Sequence, residues 1–126
     1  MENDIVKSKR HDIQDRTLAF AIRILHLCNQ LPKTPIGYAL TNQVIRSGTS
    51  IGANVSEAQD AISKKEFIKT MNISLKESRE TLYWLTLTQQ SKSFVLSEQE
   101  LSGCIHECEE LRRILASIVK NSRTNL

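Results

Sequence analysis

Apolar residues recur along the chain at alternating steps of three and four, in four separate stretches. The first holds Ile13, Thr17, Phe20, Ile24, Leu27 and Leu31, and the second holds Val44, Gly48, Ile51, Val55, Ala58 and Ile62. The third holds Ile68, Met71, Leu75, Ser78, Leu82 and Leu85, and the fourth holds Leu101, Cys104, Cys108, Leu111, Leu115 and Ile118. A three-four rhythm keeps residues on one face of an α-helix, and sustained over several turns it is the seam of a helical bundle. Strand-like alternation is missing. The pattern therefore predicts an all-α chain of four helices, over residues 12–31, 36–60, 64–90 and 98–120, with polar tails on either side.

The punctuation between the stretches agrees with this. Pro32 stops the first helix, Thr34 caps the second, and Pro35 suits its first position, where a missing N–H costs nothing. Ser63-Lys64-Lys65-Glu66 and Ser97-Glu98-Gln99-Glu100 each match a capping box, in which serine and glutamate satisfy each other's backbone donors. Short connections join antiparallel neighbours, so the expected architecture is a single up-down-up-down four-helix domain.

Two features point beyond a lone bundle. Leu18, Ile22 and Leu25 form a second apolar line on the first helix, off its core stripe, as expected of a helix with a further partner such as another subunit. Gly48 and Gly52 stand four apart inside the second helix, although each costs about 1 kcal/mol against alanine. Close approach of another backbone is the expected return. Between Pro35 and Ser56 the only charge is Arg46, which suits a helix hidden within an assembly.

The chain has 126 residues, enough for one domain with a real core, and 17 Lys and Arg against 14 Asp and Glu give a formal charge of +3. That charge permits a nucleic-acid partner without requiring one. No acidic residue falls between Asp15 and Glu57, whereas Arg16, Arg23, Lys33 and Arg46 do. Three cysteines, Cys28, Cys104 and Cys108, without a signal peptide suggest a reducing, cytoplasmic setting, and no stretch is long and apolar enough to span a membrane.

Reactive chemistry is sparse. Cys104 and Cys108 share a helix face, but His106 points away from both, and a fourth zinc ligand is not evident. Glu57, Glu77 and Glu80 are not accompanied by the Glu-x-x-His pairs of a carboxylate-bridged metal centre, since none of His11, His26 and His106 has a glutamate three residues before it. Glu57 and Glu77 are better placed to pair with Arg46 or Arg79 across helices, or with a neighbouring subunit. No phosphate loop, nucleophile elbow or His-Glu-x-x-His occurs. The expectation is no enzyme, no metal, no cofactor and no small-molecule substrate.

The run Arg46-Ser47-Gly48-Thr49-Ser50-Ile51-Gly52-Ala53-Asn54-Val55-Ser56-Glu57-Ala58 closely resembles the signature of the bacterial four-helix bundle proteins, also called 23S ribosomal RNA intervening-sequence proteins. The likeness continues through Ser63-Lys64-Lys65-Glu66-Phe67-Ile68 and Leu75-Lys76-Glu77-Ser78-Arg79-Glu80-Thr81-Leu82-Tyr83-Trp84-Leu85. It marks Arg46, Gly48, Ser50, Ile51, Gly52, Asn54, Glu57, Phe67, Glu77, Glu80 and Trp84 as motif, packing and interface positions. The resemblance implies a protomer that assembles into a homopentameric ring. It also implies kinship with the accessory variability determinant of diversity-generating retroelements, which binds nucleic acid through a basic ring surface.

The leading expectation is a non-catalytic homo-oligomer that binds RNA or a ribonucleoprotein. Its candidate phosphate contacts are Lys7, Lys9, Arg10, Arg16, Arg23, Lys64, Lys65, Lys69, Arg112 and Arg113. The alternative is a scaffold or accessory subunit that binds a protein partner without nucleic acid.

Overall fold

The computed structural model describes the backbone of residues 2–124 and the side chains of residues 12–124. Four helices occupy nearly all of it: α1 (Glu2–Cys28), α2 (Pro35–Ala58), α3 (Lys64–Ser91) and α4 (Glu98–Thr124). No strand occurs among the described residues. Each helix packs on its neighbours in chain order, most extensively α2 on α3, and α1 meets α4 along the least filled seam. The backbones of α1 and α3 do not come within 8 Å of each other, nor do those of α2 and α4, so the four stand as a square with those pairs on its diagonals.

The predicted stripes form the core. Ile13, Thr17, Phe20, Ile24, Leu27 and Leu31 are all buried, and so are Val44, Gly48, Ile51, Val55 and Ala58. Three positions depart from the pattern. In α3 Leu82 is only half-buried, and the neighbouring Thr81 takes its place in the core. Ile62 is 94% exposed, because α2 stops at Ala58 and the link that follows carries Ile62 off the helical face. In α4 the stripe ends on buried Val119, with Ile118 only packed against its edge.

Helix boundaries follow the caps. Thr34 accepts the Gly37 N–H at 3.2 Å and opens α2 ahead of Pro35. Ser63 accepts the Glu66 N–H at 3.1 Å, while the Glu66 carboxylate reaches back to the Ile62 N–H at 3.2 Å. The second box forms only half. Ser97 accepts the Glu100 N–H at 3.2 Å, but the Ser97 N–H donates to Gln30 Oε1 at 2.9 Å, and the Gln30 amide holds the Glu100 carboxylate. The start of α4 is thus capped by the end of the first helical segment rather than by its own glutamate. α1 begins at Glu2 rather than near Asp12, and closes at Cys28. Beyond it Gln30 and Leu31 donate to carbonyls only three residues back, the tight last turn expected ahead of Pro32. α3 ends on Lys92, whose φ of 53° is the left-handed cap conformation.

Candidate subunit and nucleic-acid interfaces

Small residues set the spacing of α2 from its neighbours. A Cβ on Gly48 would stand 3.1 Å from both Cγ1 and Cγ2 of Ile24, and one on Gly52 would stand 3.1 Å from Thr17 Oγ1 and 3.3 Å from the Thr17 carbonyl carbon. The glycines therefore let α1 lie directly against α2, as their placement in the sequence predicts. On the other side buried Ser74 donates its hydroxyl to the Ile51 carbonyl at 2.8 Å, a hydrogen bond from α3 into the backbone of α2. Between α3 and α4, Cys108 donates its thiol to the Ser78 carbonyl at 3.3 Å. Hydroxyls and thiols this short satisfy buried polar atoms without holding helices apart.

The outer edge of the α2–α3 seam carries the charged motif residues. Arg46 donates to Gln43 at 3.1 Å and pairs with Glu80, and Glu80 also accepts the Trp84 indole N–H at 3.0 Å. Glu77 Oε2 is buried and accepts no hydrogen bond, but Arg46 Nη1 stands 3.6 Å away and offsets its charge. The expected pairing of Glu77 with Arg46 thus forms, and Glu80 joins it, while Glu57 lies exposed. Ser50 and Asn54 turn their side chains back to α2 carbonyls. Tyr83 and Trp84 meet edge to face, 5.0 Å between ring centroids. Half-buried Phe67 packs against the core.

The structure separates the candidate cations. Arg16 forms a two-pronged pair with Glu107, both hydrogen bonds at 2.8 Å, which holds the Glu107 carboxyl below its ordinary pKa. Arg113 pairs with Glu110 at 3.0 Å and Glu109 at 3.4 Å. Arg23 lies across α4 beside Gly103. These three guanidinium groups face acidic or neutral surface of their own chain. Lys64, Lys65 and Lys69 stand exposed on the first turns of α3, and Arg112 is partly buried. The side chains of Lys7, Lys9 and Arg10 lie outside the described residues. Lys120 and Arg123, exposed at the close of α4, escaped the sequence reading; their place near the end of a long amphipathic stretch was the available signal.

Leu18, Ile22 and Leu25 are 62%, 48% and 47% exposed, an apolar line left open on the outside of α1. On α3 Ile73, Tyr83 and Leu87 are also exposed. Burial pushes the thiol of Cys28 up to about 11 and that of Cys108 up to about 12, and it raises Cys104 as well. Among the described residues no three His, Cys, Asp or Glu side chains converge as metal ligands, and no helix is long and apolar enough to cross a membrane. A groove of about 480 Å³ lies between α1 and α4, floored by Ile13, Ile114 and Ile118 and flanked by Arg16 and Arg113.

The sequence pattern of the 23S rRNA-intervening sequence proteins matches residues 9–117, which takes in all four helices. The chain belongs to that family. A 23S rRNA-intervening sequence protein of this kind has a solved relative in Bacteroides thetaiotaomicron, described as a protein with unknown function from the S23 ribosomal protein family. The two chains share 37% identity and superpose with a TM-score of 0.78, over 86% of this chain and 98% of the relative. No curated protein matches the chain. The family match carries the likeness beyond the motif segments on α2 and α3 into α1 and α4.

Proposed function

We propose that this intervening-sequence protein is a non-catalytic protomer, its four helices antiparallel in up-down-up-down order, that forms a homo-oligomeric ring and binds RNA through one end of the bundle. The residue pairings support the helix directions. Ile24 meets Gly48 and Thr17 meets Gly52; Arg46 meets Glu80 and Ile51 meets Ser74; Ser78 meets Cys108 and Gln89 meets Ser102. In every pair one number rises as the other falls. Assembly is supported by the open line of Leu18, Ile22 and Leu25, and the five-membered size rests on the family resemblance. Buried thiols with raised pKa values are poor nucleophiles, and Glu77, Glu80 and Glu107 are committed to arginines, which favours a role without catalysis. The three unpaired thiols also suit a reducing cytoplasm.

The observation that carries RNA binding is where these helix directions leave a set of exposed cations. Lys64 and Lys65 at the start of α3 and Lys120 and Arg123 at the close of α4 come to the same end of the bundle. Asp60 and Glu66 share that end, and the opposite end bears Glu98 and Glu100 with Lys33 and Lys92. In a ring all copies present the same end together, so a modest protomer charge becomes a concentrated one that attracts phosphates by counterion release. Phosphate contacts of this type hold RNA without reading its sequence.

The test is the anisotropy of a labelled, structured RNA titrated with protein at low and at physiological salt. Saturable binding that weakens at least tenfold with salt, and a shallower salt dependence in a Lys65→Ala/Lys120→Ala/Arg123→Ala variant, are expected. Absence of binding at low salt would refute the RNA half. It would leave the protein scaffold, which Arg16 and Arg113 favour by spending their charges within the protomer.

A further inference from the structure

We infer that the outer face of α1 in one copy docks on the outer face of α3 in the next, joining two different surfaces. The inference rests on the oligomer reading above. α1 and α3 are diagonal in the bundle, with no close approach of their backbones, so their outer faces look away from each other. The α1 face presents Asp15, Leu18, Ile22 and Leu25, with Asp12 at its edge, and all are exposed. The α3 face presents Lys69, Ile73, Lys76, Tyr83 and Leu87, also exposed. Neighbours of contrary sign are turned aside: Arg16 is held by Glu107, and Glu80 by Arg46. One side of the protomer is thus apolar with carboxylates, and the other is apolar with ammonium groups.

The two faces also match along the helix axis. Thr17 abuts Gly52, and Ile51 beside it accepts from Ser74, so Thr17 and Ser74 lie in one cross-section of the bundle. α1 and α3 run the same way from that section. Asp12 lies five residues before Thr17 and Lys69 five before Ser74; Leu18 and Ile73 flank the section, and Leu25 and Tyr83 follow at eight and nine residues beyond it. A second copy rotated about an axis parallel to the helices, without sliding along it, sets Asp12 level with Lys69, with Lys76 about 6 Å further along the axis than Asp15. It also lays Leu18, Ile22 and Leu25 against Ile73, Tyr83 and Leu87. Like-on-like pairing would bring carboxylates to carboxylates or leave lysines against apolar side chains. Because the joined faces differ, every copy keeps one open face until a ring closes.

Cross-linking tests the pairing. Leu18→Cys and Ile73→Cys are prepared separately and co-expressed, and each preparation is treated with a short bis-maleimide. The native thiols are buried and do not compete. Both sites are on the outer surface, and circular dichroism checks that each variant folds. A covalent dimer is expected from the co-expressed pair and from neither variant alone. In parallel, light scattering should show Lys69→Glu/Lys76→Glu and Asp12→Lys/Asp15→Lys each reduced to single chains, and their mixture reassembling into oligomers in which the two variants alternate. An assembled protein in which Leu18→Cys cross-links to itself, or in which the mixture fails to cross-link, overturns the face pairing and leaves the oligomer reading standing. Wild-type protein with the mass of one chain at every concentration overturns both.

Discussion

Replacing Gly52 by leucine drives a side chain into the backbone of α1. The new Cβ would stand 3.1 Å from Thr17 Oγ1, 3.2 Å from Thr17 Cβ and 3.3 Å from the Thr17 carbonyl carbon. Thr17 cannot swing clear, because it is fully buried and its hydroxyl is bound to the Ile13 carbonyl at 2.8 Å. Alanine at this site recovers about 1 kcal/mol of helix propensity and loses a similar amount as α1 gives way, so it should be close to neutral. Leucine recovers somewhat less and brings three further heavy atoms into a filled space. Overpacking costs about 1–3 kcal/mol in an ordinary core, and an obstacle that includes backbone belongs near the top of that range. The net loss is about 2 kcal/mol, or about 8 °C in melting temperature at about 4 °C per kcal/mol for a domain of this size. Thermal unfolding followed by far-ultraviolet circular dichroism measures it, at fixed protein concentration so that any association affects wild type and variant alike. Gly103→Ala is the control: its Cβ would meet only the far end of Arg23, at 2.5 Å, so it should gain up to about 1 kcal/mol. If Gly52→Leu melts where the wild type does, close packing of α1 on α2 is refuted.

Three further outcomes are expected. Gly37→Ala should cost about 2 kcal/mol in urea unfolding, because its Cβ would collide with the Pro32 carbonyl oxygen, and an unchanged midpoint would contradict that packing. The Glu107 carboxyl is lowered chiefly by its hydrogen bond from Arg16, so the stability it contributes is present above the unfolded carboxylate pKa and is lost as pH falls through the folded value. Glu107→Gln should therefore flatten part of the acid unfolding profile below about pH 4, by less than about 1 kcal/mol since Arg16 is 42% exposed, and an unaltered profile would deny the linkage. Finally, the three cysteines should react with a disulfide reagent at pH 8 only after unfolding; rapid titration in the native protein would show that their burial is wrong.

The core was legible in the sequence because a helix repeats its faces at fixed spacing. The stripes of Ile13 to Leu31 and Val44 to Ala58 needed no knowledge of what they would meet. Gly48 and Gly52 could be read in the same way, since a cost in helix propensity asks for a compensating contact. Gly37 escaped notice because its constraint comes from Pro32, in a loop whose path depends on how α1 ends. Ile62 was misplaced because periodicity alone does not say where a helix stops. The second capping box looked complete, yet Gln30 took over the task of its glutamate from another segment.

The candidate interfaces divide along the same line. The sequence by itself determined which residues share a face, and hence four amphipathic helices, an outer apolar line on α1 and lysines at the start of α3. Only the tertiary structure decided that Arg16 and Arg113 are spent on glutamates while Lys65, Lys120 and Arg123 stand exposed. It also decided that the open faces of α1 and α3 look away from each other. The physical reason is range. Helical periodicity is set by neighbours within about a turn, whereas the electrostatic environment of a charge depends on groups that folding brings within a few ångströms from anywhere in the chain.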